Sequence, residues 1–486
     1  MNLPDPKPAS PGRAARRAAS LLALLIAAGC ASHQGIAPRS ALTSPVALGA
    51  SGTAPYPATE WWATYSDPKL NELINTALAG NPTIRTAQAR LDRALAGTEV
   101  AGASRLPQLS ASADSSRQRL SQTYIYPPPL GGSTESLNTA TLNASWELDL
   151  FGRHRAALDA AIGSARAAGA DHAAARVLLA ARVATTYFAL AQKLEMRALA
   201  ASILDDREQL QKLVAQRVSA GLDTNVELRQ AEGNVPQARQ EIAALDEQIA
   251  LNRHALAALT GAGPQAADDL NPALGARPAP TLPGSVPADL IGRRADIVAA
   301  RWRVEAAARD VAAAKAEFYP NLNLTAFIGF QSLGLANWLK AGSRMAGIGP
   351  AVHLPIFDAG RLRGNLRGKD ADYDAAVEDY NAKLIDALRD VADQLTSTAS
   401  VEVQAREQAA ALASAQAAYD LAQQRYRAGL STYLTVLTAQ LAVEQQRHGA
   451  VDLKARRYAL DIELARSLGG GFREDPATPI SLRATP

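Results

Sequence analysis

The side chains able to do chemistry are few and scattered. Cys30 is the single thiol in 486 residues, so a lone chain can build neither a disulfide framework nor a structural zinc cluster. The six histidines (His33, His154, His172, His254, His353 and His448) include no close pair with metal-ligand spacing, and no metal site is expected. There is no P-loop, no G-x-G-x-x-G after a strand and no nucleophile elbow. Asp and Glu sit at i, i+4 distances from Arg and Lys, as on solvated helix faces. The sequence therefore predicts neither an enzyme nor a cofactor.

What remains must be positional, and composition bounds it. The chain is 48% hydrophobic, 20% charged and 5% aromatic, which excludes a disordered or collagenous polypeptide. Its net charge of +3 is already present in the first 29 residues, where Lys7, Arg13, Arg16 and Arg17 face Asp5. The remainder is neutral, and no nucleic-acid partner is expected. Leu21–Ala28 form an apolar run ending in Gly29-Cys30. That run is too short to cross a bilayer, which takes roughly 20 helical residues, and it fits a secretory signal. Small residues leading into Cys30 resemble a bacterial lipoprotein signal cleaved before an acylated cysteine; a plain signal peptide with an incidental cysteine is the alternative. Ala31 then permits sorting to the outer membrane. No later segment reads as a membrane-spanning helix.

The rest of the chain repeats itself. A shift of 208 residues brings Gln216, Arg217, Ala220, Gly221, Leu222 and Thr224 onto Gln424, Arg425, Ala428, Gly429, Leu430 and Thr432. A shift of 213 brings Ile84, Ala87, Arg90, Ala94 and Pro107 onto Ile297, Ala300, Arg303, Ala307 and Pro320. The expected organisation is a leader over 1–29, an anchored segment over 30–69, one repeat over 70–261, a Pro/Gly-rich linker over 262–288, a second repeat over 289–469 and a tail over 470–486.

Each repeat reads helix, two strands, a very long helix and a returning helix. Residues 153–220 and 361–428 lack proline and are dense in strong helix formers. Helices of that length reach about 100 Å and imply a coiled-coil-like assembly. Gly221 and Gly429 end them and begin a reversal. The returning helices span 223–260, with a break near Gly233 and Pro236, and 431–468. Residues 142–150 and 322–330 alternate apolar with polar, and 108–118 and 345–356 do so more weakly. Their length suits tilted membrane strands, although a half-buried soluble sheet would alternate too. Four strands cannot close a barrel, and an open edge does not survive in lipid. Three copies, each giving four strands, would make a twelve-stranded wall.

Several segments are similar to the TolC-like outer-membrane efflux lipoproteins of the OprM/NodT type. They are Trp61-Trp62-Ala63-Thr64-Tyr65-Ser66-Asp67-Pro68-Lys69-Leu70, Arg293-Arg294-Ala295-Asp296-Ile297, Phe318-Tyr319-Pro320 and Arg425-Tyr426-Arg427-Ala428-Gly429-Leu430, followed by Val436-Leu437-Thr438-Ala439-Gln440. The resemblance covers about residues 20–470. It implies a mainly α fold with a β-barrel portion: a homotrimer whose chains each give four membrane strands and long coiled-coil helices, internally duplicated. It also implies lipidation at Cys30, outer-membrane lipid around the barrel and a helical tube in the periplasm of a Gram-negative bacterium. The implied partners are a periplasmic adaptor (membrane fusion) protein and an inner-membrane transporter of the resistance-nodulation-division class.

By the same resemblance, the adaptor meets the helix tips, here Ser219, Ala220, Gly221, Leu222 and Thr224 with Ala428, Gly429, Leu430, Ser431 and Thr432. For the two glycines, helix capping is an alternative or additional role. A periplasmic gate falls on Leu434, Thr438 and Leu441, which share a helical face. Family members often carry an acid at the position of Thr438 and a base near Leu441, so an apolar closure is implied; ordinary helix contact is the alternative. Glu147 and Asp149 would then either influence ion passage or hydrate a polar wall. With three methionines in the chain, nothing supports a dedicated copper or silver route. The implied function is the exit duct of a tripartite drug-efflux pump. The alternatives are a duct for type I protein secretion and a tethered periplasmic coiled coil.

Overall fold

A computed structural model describes residues 32–51, 57–275, 286 and 293–473. Cys30 and the leader lie outside the described residues. Eleven principal elements follow in order: α1 (Pro68–Gly80), α2 (Pro82–Ala103), β1 (Gln108–Arg119), β2 (Thr134–Leu148), α3 (Arg153–Ser219), α4 (Asn225–Thr260), α5 (Ala295–Ala316), β3 (Asn321–Leu333), β4 (Arg344–His353), α6 (Arg361–Arg427) and α7 (Tyr433–Ser467). Helices α3 and α6 each run 67 residues, and their ends are separated by the same 208 positions. Helices α2 and α5 have their ends separated by 213.

Each long helix starts from a left-handed glycine, Gly152 or Gly360. The carboxylate of Asp149 accepts from the amides of His154 and Arg155 at 3.1 and 2.8 Å, and that of Asp358 accepts from Leu362 at 2.8 Å. Both thus fill amide positions that a helix start leaves open.

Three helix readings of the sequence need correction. The first repeat opens with two helices, because Pro82 lacks an amide hydrogen and starts a new helix. Asn81 fixes that break by accepting from Thr83 at 2.7 Å and donating to the Leu259 carbonyl at 2.8 Å. Conversely, α4 runs unbroken through Gly233 and Pro236. Burial of Ala231, Val235 and Ala238 on both sides of the proline anchors it, so the lost bond does not end it. Finally, one stretch within α3 is long and apolar enough to cross a membrane by length and composition. Nearly half of it is buried within the chain, and α3 gives Leu179, Val183, Tyr187 and Leu190 among others to the principal core.

That core explains the tryptophan pair. Trp61, Trp62, Leu70, Ile74 and Ala77 pack on Val183, Tyr187 and Leu190 of α3 and on Leu256 of α4. Tyr65, Phe188 and Tyr458 form a connected ring cluster, with Phe188 stacked on Tyr458 at 4.2 Å. Elsewhere small residues let helices approach closely. A β-carbon added at Gly163 of α3 would lie 3.1 Å from that of Ala306 on α5.

The four strands form one antiparallel sheet in the order β1-β2-β3-β4. Its register aligns the apolar alternation of all four. One row runs Leu109, Ala144, Ala326, Ile348; the next apolar row runs Ala111, Leu142, Ile328, Ala346. The intervening rows on the opposite face are mostly polar or small, as in Ser112, Thr141 and Gly329, a row that ends in Met345. Strand β2 starts at Thr134, eight residues before the apolar alternation suggested, since its first half is threonine-rich and strand-forming without being strongly apolar.

Candidate functional site

The apolar face of the sheet is exposed to an unusual degree. Ile348 is 78% exposed, Val352 70% and Leu109 67%, and within the described residues no element packs over them. A half-buried soluble sheet would hide such a face. One that meets hydrocarbon leaves it bare and turns its polar face towards a lumen. Among the described residues the outer edges of β1 and β4 also have no strand partner.

At the far end of the long helices the chain reverses twice through one turn design. The amide of Leu222 donates to the Arg217 carbonyl at 2.8 Å, and that of Gly221 to Val218 at 3.0 Å. The second tip repeats this, with Leu430 donating to Arg425 at 2.8 Å and Gly429 to Tyr426 at 3.0 Å. These are Schellman caps with glycine at the left-handed position, φ 72° and 77°. Capping is thus one role of both glycines. A leucine at this position often folds back onto the last helical turn. Leu222 and Leu430 instead stand exposed at 63% and 71%, beside exposed Ser219, Ala220, Ala428, Thr224 and Thr432 and half-buried Ser431.

The tips differ in what anchors them. At the first, Thr224 caps α4 by accepting from Val226 at 3.2 Å, while Glu227 accepts from the Thr224 amide at 2.9 Å. Its hydrogen bonds to Thr224 hold the Glu227 carboxyl below the usual range. The second tip has Thr435 where the first has Glu227, and Thr432 makes no side-chain cap bond.

Three residues then tie one tip to the other. Arg217 donates from Nε to Asp223 at 2.9 Å and from Nη1 to the Tyr426 carbonyl at 3.0 Å. Its guanidinium lies 4.5 Å over the Tyr426 ring, whose hydroxyl donates to Asp223. Burial pulls the Asp223 carboxyl up, but hydrogen bonds from Arg217 and Tyr426 and the Arg217 charge outweigh it, so it titrates below the carboxylate range. Burial, reinforced by the bond to Asp223, raises the Tyr426 hydroxyl well above its ordinary value. Beneath them lies a core of Leu210, Val214, Tyr419, Tyr426, Tyr433 and Val436. Deeper still, Arg207 and Glu444 pair at 2.7 Å, both about nine-tenths buried, with Arg207 also bonding the Asn234 carbonyl at 3.0 Å.

Leu434, Thr438 and Leu441 lie along one exposed stripe of α7, opposite its buried Tyr433, Val436, Gln440 and Val443. The Thr438 hydroxyl donates to the Leu434 carbonyl at 2.8 Å, so it presents no unmet donor. Among the described residues the stripe's leucines stay 64% and 51% exposed.

This arrangement can be set beside known proteins. The profile of the family described as outer membrane efflux protein matches residues 73–262 and again 286–470. The chain belongs to the outer membrane efflux protein family. Among similar proteins, the multidrug resistance outer membrane protein MdtP of Escherichia coli is 32% identical over 92% of this chain and 93% of its own. The fusaric acid resistance protein FusA of Burkholderia cepacia is 38% identical over 74% and 71% of the two chains. The crystal structure of the outer membrane protein VceC of Vibrio cholerae superposes with a TM-score of 0.80 at 36% identity, covering 86% of this chain and all of that one. The chain is therefore an outer-membrane channel protein with the TolC-like, mainly α fold, and it is not an enzyme.

Within this efflux family member, the joining of Arg217, Asp223 and Tyr426 across the two tips escaped the reading of the sequence. The 208-residue shift matches Arg217 to Arg425 but Asp223 to Ser431, so only the first tip has a carboxylate to receive Tyr426. That asymmetry was the available signal. Glu147 lies on the polar face of the sheet, held by Arg153 at 2.8 Å.

Proposed function

We propose that three copies of this chain join edge to edge, β4 of one beside β1 of the next, into a twelve-stranded barrel that continues as a helical tube. The assembly passively conducts drugs or other toxic small molecules out of the cell, driven by an inner-membrane transporter of the resistance-nodulation-division class. One observation carries this: a sheet with a continuous, uncovered apolar face and two unpaired edges, which is stable in lipid only when closed. The names of relatives concerned with resistance favour small molecules over secreted proteins as cargo.

Cys30 is the lipidated residue in this proposal. Two residues later, Ser32 accepts from Arg363, and His33 packs edge-on against Phe318 at 5.8 Å. That contact holds the start of the described chain where strands give way to helices, the level of the membrane surface. The adaptor binds the two tips, with Leu222 and Leu430 as matched apolar knobs. Leu434, Thr438 and Leu441, facing the axis, form the gate.

Purified outer membranes test the assembly: a heat-modifiable trimer is expected on gels, and a monomer in detergent overturns it. Deleting the gene is expected to raise drug susceptibility while leaving protein secretion intact. The reverse outcome would assign the duct to secretion.

A further inference from the structure

One aromatic side chain stands on the polar face of the sheet. That face is mostly Ser, Thr, Asn, Gln, Gly or Ala, with Asp114, Glu135, Glu147, Leu137, Leu333, Met345 and His353 among them, and Phe327 of β3 sits in the row Ser110, Asn143, Phe327, Gly347. It is the one Phe, Tyr or Trp on that face of the four strands and is 39% exposed. Its ring lies over β4, where a β-carbon added at Gly347 would stand 2.6 Å from Cε1. Gly349, further along β4, has nothing within 4 Å of an added β-carbon. The neighbouring strand is thus a bare shelf with the ring lying on it and part of the ring's surface turned to the channel.

We infer that Phe327 is a contact point for cargo: each chain offers the barrel lumen one aromatic surface that takes aromatic rings of small molecules as they leave. This rests on the proposed barrel, in which the polar face becomes the lumen. Ring-on-ring contact adds attraction beyond plain apolar contact, and it is strengthened when the visiting ring carries positive charge. The hydroxyls, amides and carboxylates of the same face offer such a molecule no second phenyl ring, so a preference for an aromatic cation over an aliphatic one falls to Phe327. The competing explanation is local: an aromatic ring can simply shield a strand glycine and pin the register.

The two explanations part in a planar bilayer holding the purified trimer. A phenanthridinium dye, a planar aromatic cation, is added on the strand side, with tetrabutylammonium as the non-aromatic control, and residence times are read from current interruptions. Phe327→Leu keeps bulk over Gly347 but removes the ring. It is expected to shorten the dye's residence about threefold to tenfold and leave tetrabutylammonium unchanged. Unchanged dye residence, or an equal change for both probes, overturns the inference. Should Phe327→Leu fail to assemble, Phe327→Tyr decides: retained dye residence supports the contact and its loss overturns it. A wild-type protein that is monomeric in detergent and opens no conductance refutes the barrel itself, a result distinct from each of these.

Discussion

Tyr426, one residue before the end of α6, gives its hydroxyl proton to a bond with Asp223, which lies in the turn after α3. The two helical hairpins of the chain are thereby fastened at their extremities by a phenol and a carboxylate 203 residues apart. Arg217 closes the same triangle from the other side. A hydrogen bond to an ionised group is worth about 1.5–3 kcal/mol when well formed. Tyr426→Phe should therefore loosen the tips by an amount near the lower end of that range, since Arg217 still holds Asp223. Faster hydrogen exchange confined to residues around 217–226 and 426–433 is expected. Exchange as slow as in the wild type would deny the bond a holding role.

The same triangle sets a pH window. Asp223 has its folded pKa depressed, so its contribution is full above the unfolded value of about 3.9 and is lost as pH falls through the folded one. Tyr426 has its folded pKa raised, so its contribution is full below about 10 and is lost as pH climbs beyond that. The tips should be tightest between roughly pH 5 and 9. If tip fastening limits conduction, single-channel conductance rises at both extremes. In Tyr426→Phe the alkaline rise should vanish while the acid rise stays. An alkaline rise of equal size in both proteins would break the assignment.

How far the fold could be read ahead depended on the range of the forces involved. The ends of α3 and α6 were legible within a residue or two, because a proline-free run of helix formers and a terminal glycine are local signals. The strands were legible where leucines and isoleucines alternated, and illegible over 134–141, where threonine and alanine carry little contrast. Pro236 misled in the other direction: a local breaker lost to burial of Ala231, Val235 and Ala238. Of the candidate site, the tip residues followed from the repeat, but the Arg217–Asp223–Tyr426 triangle joins residues from different hairpins. No local pattern announces such a contact.

The two sheet faces should respond oppositely to charge. Ile328 lies on the apolar face at 61% exposure, and Thr325 lies on the polar one. An arginine facing lipid near mid-membrane costs about 2–4 kcal/mol, whereas a lumen position keeps water. Ile328→Arg should sharply reduce the trimer recovered from outer membranes, and Thr325→Arg should leave it close to wild type. Equal yields would mean that the apolar face does not meet hydrocarbon.

Leu434, Thr438 and Leu441 form a stripe that stays largely exposed among the described residues. Leu434 is 64% exposed and Leu441 51%, and Thr438 between them spends its hydroxyl on the Leu434 carbonyl. With no charge in the stripe, closure around a three-fold axis must come from apolar packing between copies, in contrast to a ring of ion pairs. Packing of that kind depends on side-chain volume and is insensitive to salt, since screening acts on charges. Leu434→Ala should therefore raise the conductance of the closed form, and raising salt from about 0.1 to 1 M should leave the ratio of variant to wild type unchanged. Unchanged conductance in Leu434→Ala would remove this leucine from the gate, and a ratio that collapses in high salt would point to a charged closure elsewhere on the helix.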